Sequence, residues 1–83
     1  MSQIDFSRLR SLTARQIIQA LSRDGFELVR QRGSHQHYYH SDGRFVTVSY
    51  HHSGDTYPVG RLRMMLQEQA KWTADDLRRL GLL

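Results

Sequence analysis

The chain has 83 residues and no cysteine, which predicts one domain over residues 1–83 and excludes disulfide bridges and thiolate metal sites. Eleven arginines and one lysine face eight acidic residues, so the formal net charge is +4 and a polyanionic partner is expected. The sequence shows neither a signal-peptide pattern nor an apolar run near the ~20 residues that span a bilayer, so a cytoplasmic protein is expected. The alternative to a polyanionic partner is a solvated basic surface without one.

The first predicted element is a helix over about residues 14–24. Thr13 and Gln16 match a capping box, in which each side chain accepts a hydrogen bond from the backbone of the other. Gly25 supplies a left-handed stop. Residues 1–12 are expected to form an N-terminal arm or a short helix. The apolar stripe of the helix consists of Ala14, Ile17, Ile18 and Leu21.

Three strands are predicted next, over residues 26–32, 35–40 and 45–50, because β-branched and aromatic residues alternate with polar ones there. Regular alternation in the first strand would place Leu28 and Arg30 on the same side. Turn-forming glycines separate the strands, so an antiparallel arrangement is expected.

The loop at Asp42-Gly43 decides which face of the sheet each side chain occupies, because a slip of one residue exchanges the faces. A two-residue loop would place Tyr39 opposite Val46 and would bury His35. A three-residue loop with a left-handed glycine would place Tyr38 opposite Val46 instead. Burial of imidazoles beside valines would require hydrogen-bond partners, so we predict the three-residue loop. The open face then carries His35, His37, Tyr39 and Thr47.

Two further helices are predicted, one over about residues 60–70 and a short one that begins after Thr73 as its N-cap. Gly81 is expected to end the last helix. The order helix, three strands, helix, short helix predicts an α+β fold of two layers, in which a three-stranded antiparallel sheet is packed on helices. The residues expected to be buried from these helices are Leu62, Met65, Leu66, Ala70, Leu77 and Leu80.

The segment Gly33-Ser34-His35 is the strongest candidate for chemistry. Histidine titrates closest to neutrality and is the usual proton-transfer residue, and a preceding glycine lets a substrate approach the backbone closely. The alternative is that His35 is an exposed histidine without a role. His35 and His37, with His51 or His52, could also bind zinc, copper or nickel. No carboxylate stands at a ligand spacing inside the hairpin, so neither a native metal nor another cofactor is expected.

A larger pattern around this segment resembles the signature of the HicA toxins, small messenger-RNA interferases also called YcfA-like proteins. The residues that carry the resemblance are Gly33-Ser34-His35, His37-Tyr38, His40, Asp42-Gly43-Arg44 and Val46-Thr47-Val48, followed by Gly60, Leu62-Arg63, Met65-Leu66, Gln69-Ala70 and Thr73. The resemblance covers roughly residues 13–80. The chain departs from the family at Ser49, where proline is usual, and at Arg61, where threonine is usual.

The resemblance implies a fold like that of double-stranded-RNA-binding domains, α-β-β-β-α, here with a short extra C-terminal helix. It implies a ribonuclease that arrests translation and a HicB-type antitoxin that covers the active site, and it maps the catalytic histidine onto His35. We therefore expect metal-independent acid/base cleavage of RNA, with His37 or His51 as a candidate for the opposite proton role. The residues expected to contact RNA or its phosphates are Gly33, Ser34, Arg32, Arg44, Arg61, His37 and His51.

Two other functions fit the same residues. One is a non-catalytic RNA-binding module, since this fold class binds duplex RNA through shape and phosphate contacts. Tyr38, Tyr39 and Tyr50 could stack on bases, or they could pack against cross-strand neighbours. The other is a protein-interaction role, in which the basic face docks an acidic partner.

Overall fold

The computed structural model describes residues 4–83 and confirms the predicted α+β class and element order. Part of the predicted arm, residues 1–3, lies outside the described residues, and a 3₁₀ turn over Phe6–Leu9 follows. No helix in residues 4–83 is long and apolar enough to cross a membrane. The elements are α1 (Ala14–Arg23), β1 (Glu27–Arg32), β2 (His35–Tyr39), β3 (Phe45–Ser49), α2 (Val59–Leu62, continued as a π-helix over Arg63–Gln69) and α3 (Ala74–Arg79).

The ends of α1 follow the predicted capping pattern. The Gln16 N–H donates to the Thr13 hydroxyl, and the Thr13 N–H donates to the Gln16 side chain at 2.9 Å. Gly25 has φ +97°, and a Cβ at this position would lie 3.1 Å from Nε2 of His40. Glycine suits this turn, because the left-handed backbone conformation would strain another residue and a Cβ would crowd the His40 ring.

The sheet is antiparallel in the order β1-β2-β3, and its register is the predicted one. Tyr38 lies opposite Val46, and Gly43 has φ +101°, which confirms the three-residue loop. Tyr38, Val46 and Val48 are buried against the helices. The opposite face is the open face, and it carries Glu27, Arg30, Arg32, His35, His37, Tyr39, Phe45, Thr47 and Ser49.

The predicted alternation along β1 is wrong at one point. The register shifts between Leu28 and Arg30, so Leu28 pairs with Tyr38 while Arg30 pairs with His37. A bulge inserts one extra residue into one strand, here Val29, and the two residues that flank it therefore lie on opposite faces. All six residues of β1 are exposed, whereas β3, the other edge strand, buries Val46 and Val48.

The second helix buries the predicted stripe of Leu62, Met65, Leu66 and Ala70, but its geometry differs from a regular α-helix. It begins at Val59, one residue before the predicted start, and residues 63–69 form a π-helix. The Ala70 N–H donates to the Met65 carbonyl five residues earlier. The wider turn of a π-helix changes the angle at which the following side chains leave the helix.

Side chains from the second helix and from the loop before it bond to the outer edge of β3. The Gln69 side chain accepts a hydrogen bond from the Thr47 N–H at 3.1 Å. The Tyr57 hydroxyl donates to the Ser49 carbonyl at 2.9 Å. These bonds satisfy backbone groups that an edge strand otherwise leaves unpaired.

A cluster of charged and aromatic side chains joins the two layers; we call Asp24, Arg44, Trp72 and Arg79 the Asp24 cluster. The Asp24 carboxylate accepts from Trp72 Nε1 at 2.8 Å and from Arg79 Nη2 at 2.7 Å. Arg44 Nη1 lies 3.0 Å from the same carboxylate and donates to the Ala70 carbonyl at 2.7 Å. The Asp24 side chain is only 8% exposed, so it depends on these partners.

Acid should weaken the protein through Asp24. Burial alone would raise the pKa of Asp24, but the hydrogen bonds from the cluster outweigh burial and hold the pKa below its ordinary value. A carboxyl with a depressed folded-state pKa contributes stability above its unfolded pKa of about 3.9 and loses it as the pH falls through the folded value. We therefore expect the stability advantage of the wild type over Asp24→Asn to narrow below about pH 4. Urea unfolding of both proteins between neutral and acid pH measures their free energies of unfolding. A difference between the two proteins that does not change with pH would contradict this expectation.

Candidate active site

His35 lies on the open face, as predicted, at the first position of β2. Its neighbours across the strands are Arg32 on β1 and Ser49 on β3. The imidazole is exposed rather than packed among aliphatic side chains. The Tyr50 N–H donates to the Ser34 carbonyl at 2.9 Å, which extends the ladder past His35 and holds the preceding turn against β3. The histidine is thus solvent-accessible on a fixed backbone.

A groove of about 280 Å³ lies at this end of the sheet. Gly33 has φ +54°, and no atom lies within 4 Å of where its Cβ would stand, so the backbone is open to a ligand here. Gln36 is buried beneath the groove, and its side-chain carbonyl accepts from the Tyr38 hydroxyl. This hydrogen bond holds the Gln36 amide in place as a polar group at the floor of the groove. The groove is lined by Gln31, Gly33, Ser34, Gln36, Tyr50 and His51.

His37 shares the open face with His35 and is held by its neighbour on β3. Its Nδ1 lies 3.0 Å from the Thr47 hydroxyl. Arg30 is its partner on β1. The half-buried imidazole therefore has one ring nitrogen in a defined hydrogen bond.

The loop after β3 brings His51, rather than His52, into the groove. The Asp55 carboxylate accepts from the backbone N–H groups of His51 at 2.8 Å and His52 at 3.1 Å. The bonds from His52 and His51 lower the pKa of Asp55, so it stays ionised and holds the loop at neutral pH. The Ala14 N–H donates to the Asp55 carbonyl at 2.8 Å, which ties the loop to the start of α1.

Two arginines of the predicted set join neither of the two groups that the other predicted residues form, which are the groove lining with Gly33, Ser34 and His51 and the open face with Arg32, His35 and His37. Arg44 points to the helical side, where Asp24, Asp42 and the Ala70 carbonyl take its donors and only 17% of its side chain is exposed. Its engagement in the fold removes it from our candidate site. Arg61 is exposed on α2 and does not line the groove.

Arg61 does stand close enough to Tyr57 to affect its ionisation. Burial raises the pKa of Tyr57 to about 12, with help from the negative charge of Asp55, while Arg61 acts in the opposite direction. The Tyr57 hydroxyl donates to the carbonyl of Ser49, the last residue of β3, and neither Tyr57 nor Arg61 lines the groove.

Sequence reasoning did not single out Phe45, Gln31 or Gln36. Phe45 lies directly opposite Tyr39 on the open face, and the predicted register already required this position. Gln36 alternates with His35 and His37 on β2, which indicated the helical side for its amide. Its location in the groove depends on how the chain turns at both ends of β2, which no local pattern indicates.

Within residues 4–83, no group of three or more histidine, cysteine, aspartate or glutamate side chains could hold a metal ion. What the region offers is imidazole, guanidinium, hydroxyl and amide groups. Imidazole can transfer protons near neutral pH, and the cationic and hydroxyl groups can bind phosphate oxygens.

Comparison with known proteins relates the chain to a protein family. Residues 14–72 match a family model described as the HicA toxin of bacterial toxin-antitoxin. The matched span contains the whole sheet and every residue that lines the groove. No curated protein matches the chain.

Proposed function

The chain belongs to the HicA toxin family, and we propose that this toxin of a toxin–antitoxin module is a metal-independent endoribonuclease with His35 as its catalytic residue. The observation that supports the proposal is the exposed imidazole of His35. It stands between Arg32 and Ser49 on a basic sheet face, one residue after Ser34, which lines the groove. A nucleic-acid backbone can reach this position.

In the proposed reaction His35 takes the proton from a ribose 2′-hydroxyl, which attacks the adjacent phosphorus, or it protonates the leaving 5′-oxygen. The P–O5′ bond breaks, and the products carry a 2′,3′-cyclic phosphate and a 5′-hydroxyl. Arg32 stabilises the charge that develops on the phosphoryl oxygens. His51 in the groove and His37 on the open face are the candidates for the opposite proton role.

Gly33 and Ser34 would hold the RNA backbone. No atom crowds the position of a Cβ at Gly33, so a phosphate could approach the backbone there, and Ser34 lines the same groove. A positioned acid or base contributes about 10²–10⁴-fold to such a reaction. We further propose that messenger RNA in the cytoplasm is the substrate and that the cognate antitoxin of the module is of the HicB type and covers this site.

We expect the purified protein to cleave RNA in the presence of EDTA and to leave 2′,3′-cyclic phosphate and 5′-hydroxyl ends. The physical reason is that the nucleophile is supplied by the substrate itself and the proton transfer by an imidazole. End-labelled RNA resolved by electrophoresis, with chemical identification of the ends, measures this.

The matched control is the same RNA with a single 2′-deoxyribose at the cleavage site, which should resist cleavage at that position. Activity that disappears in EDTA would favour a metal-dependent reaction. Salt-sensitive binding without turnover at any pH would favour a non-catalytic RNA-binding module.

A further inference from the structure

Three aromatic rings form a continuous row on the open face, which we call the aromatic strip: His37, Tyr39 and Phe45. The ring centroids of Tyr39 and Phe45 are 5.7 Å apart, and those of His37 and Phe45 are 6.3 Å apart. Tyr39 is 40% exposed and Phe45 is 49% exposed. Two large aromatic side chains therefore lie side by side in contact with solvent.

The core does not account for the aromatic strip. Tyr38, Val46 and Val48 face the helices and are buried, whereas Tyr39 and Phe45 alternate with them and face away. Adjacent exposed aromatic rings leave apolar area in water, and such patches commonly mark binding surfaces. The strip lies on the same face as His35, two to four residues further along β2, which is about 7–14 Å at strand spacing.

The charges beside the aromatic strip are suited to a nucleic-acid strand. Arg30 lies opposite His37, one ring of the strip, and Arg32 lies opposite His35, so two arginines stand on β1 along the side of the open face that leads from the strip to His35. Glu27 lies opposite Tyr39, at the end of the strip furthest from His35. Stacking rings beside a row of cations are the recurrent design of single-stranded nucleic-acid sites, where bases stack and phosphates meet positive charge.

We propose that the aromatic strip is a stacking site for unpaired bases of an RNA strand whose phosphate lies at His35. The proposal rests on the proposed function only in identifying the bound strand as the substrate. Bases in a duplex are already stacked on their neighbours and cannot offer their faces to Tyr39 and Phe45. The strip therefore selects single-stranded RNA.

A protein partner could also cover an apolar patch with basic neighbours. The open face favours RNA, because imidazole and guanidinium groups lie on it together with the rings. Groups that can bind phosphate and groups that can stack on bases therefore lie on the same strand or on adjacent strands. Binding of the antitoxin to the same rings is an outcome that the experiment must distinguish.

The test measures equilibrium binding of a short, non-self-complementary 2′-O-methyl oligoribonucleotide by fluorescence anisotropy. Methylation blocks attack by the 2′-oxygen, so binding is measured whether or not His35 is the catalytic residue. We expect the double variant Tyr39→Ala/Phe45→Ala to bind this strand more weakly by roughly 5- to 150-fold for each stacked base lost. Binding of a duplex of the same sequence should be unchanged. Met64→Ala, which removes an equally exposed apolar side chain (43%) from the second helix, should leave both affinities unchanged.

Conservative variants distinguish the loss of aromatic rings from a folding defect as the cause of weaker RNA binding. Tyr39→Phe and Phe45→Tyr keep the rings and should bind the single strand as the wild type does. An unchanged Kd for the double variant would overturn the proposal even if the protein cleaves RNA. Equal losses for single strand and duplex would also overturn it. So would loss of antitoxin binding with RNA binding retained.

Discussion

Replacement of His35 by alanine is expected to lower the rate of RNA cleavage by about 10²–10⁴-fold while leaving the free energy of unfolding nearly unchanged. The imidazole is exposed at the start of β2, so its removal creates no cavity. The rate change is that of a positioned proton-transfer group, about 3–5 kcal/mol of activation free energy. Single-turnover cleavage in EDTA, with unfolding followed in parallel, measures both quantities.

His52→Ala is the matched control, because His52 is also exposed but lies in the loop after β3, where it belongs neither to the open face nor to the groove lining. It should retain full activity. His40 is unsuitable as a control, since its Nε2 lies 2.8 Å from the Asp24 carbonyl and its ring packs edge-on against Phe26. Equal cleavage by the wild type and His35→Ala would refute the assignment of the catalytic residue.

Replacement of Arg44 by methionine should destabilise the fold by about 3 kcal/mol. Methionine keeps much of the apolar stem but removes the charge opposite Asp24 and the donor to the Ala70 carbonyl. It also removes the guanidinium that lies 4.9 Å from the Phe26 ring centroid. Asp24 keeps Trp72 and Arg79 as partners, but it loses one of the two cations that compensate its buried charge, and such a loss is costly. Urea unfolding at neutral pH measures the change.

Arg32→Met separates this structural role from a role in binding. Arg32 is exposed on the open face beside His35, so its replacement should change stability by no more than about 0.5 kcal/mol and should weaken RNA binding. Arg44→Met should lower the free energy of unfolding instead. At urea concentrations below its unfolding midpoint, it should bind RNA as the wild type does. A stable Arg44→Met protein with weakened RNA binding would return Arg44 to the group of phosphate-binding candidates.

Local patterns were sufficient for much of the fold. The capping pair at Thr13 and Gln16 is an interaction between residues three apart, so the start of α1 could be predicted from a few residues. The register of β2 and β3 was predicted by asking where His35 could be placed without unpaired polar atoms. That physical argument also placed the candidate catalytic histidine on the correct face.

Interactions across long sequence separations could not be predicted in this way. Asp24 ends a helix, where the helix dipole disfavours a carboxylate, and nothing nearby indicates that Trp72 and Arg79 compensate for it. Arg44 was expected to contact RNA or its phosphates, yet in addition to Asp42 its partners are Asp24 and the Ala70 carbonyl, 20 and 26 residues away. The bulge in β1 follows from the pairing with β2, which alternation alone does not describe.

The unequal margins of the sheet limit how copies of this protein can associate. Gln69 and Tyr57 occupy backbone groups at the outer margin of β3, whereas β1 has no strand beyond it in residues 4–83. A sheet that can add a strand on one side only cannot extend indefinitely. If two copies joined through β1, each would use its single available margin, so strand addition would stop at a closed pair and could not continue into a fibre.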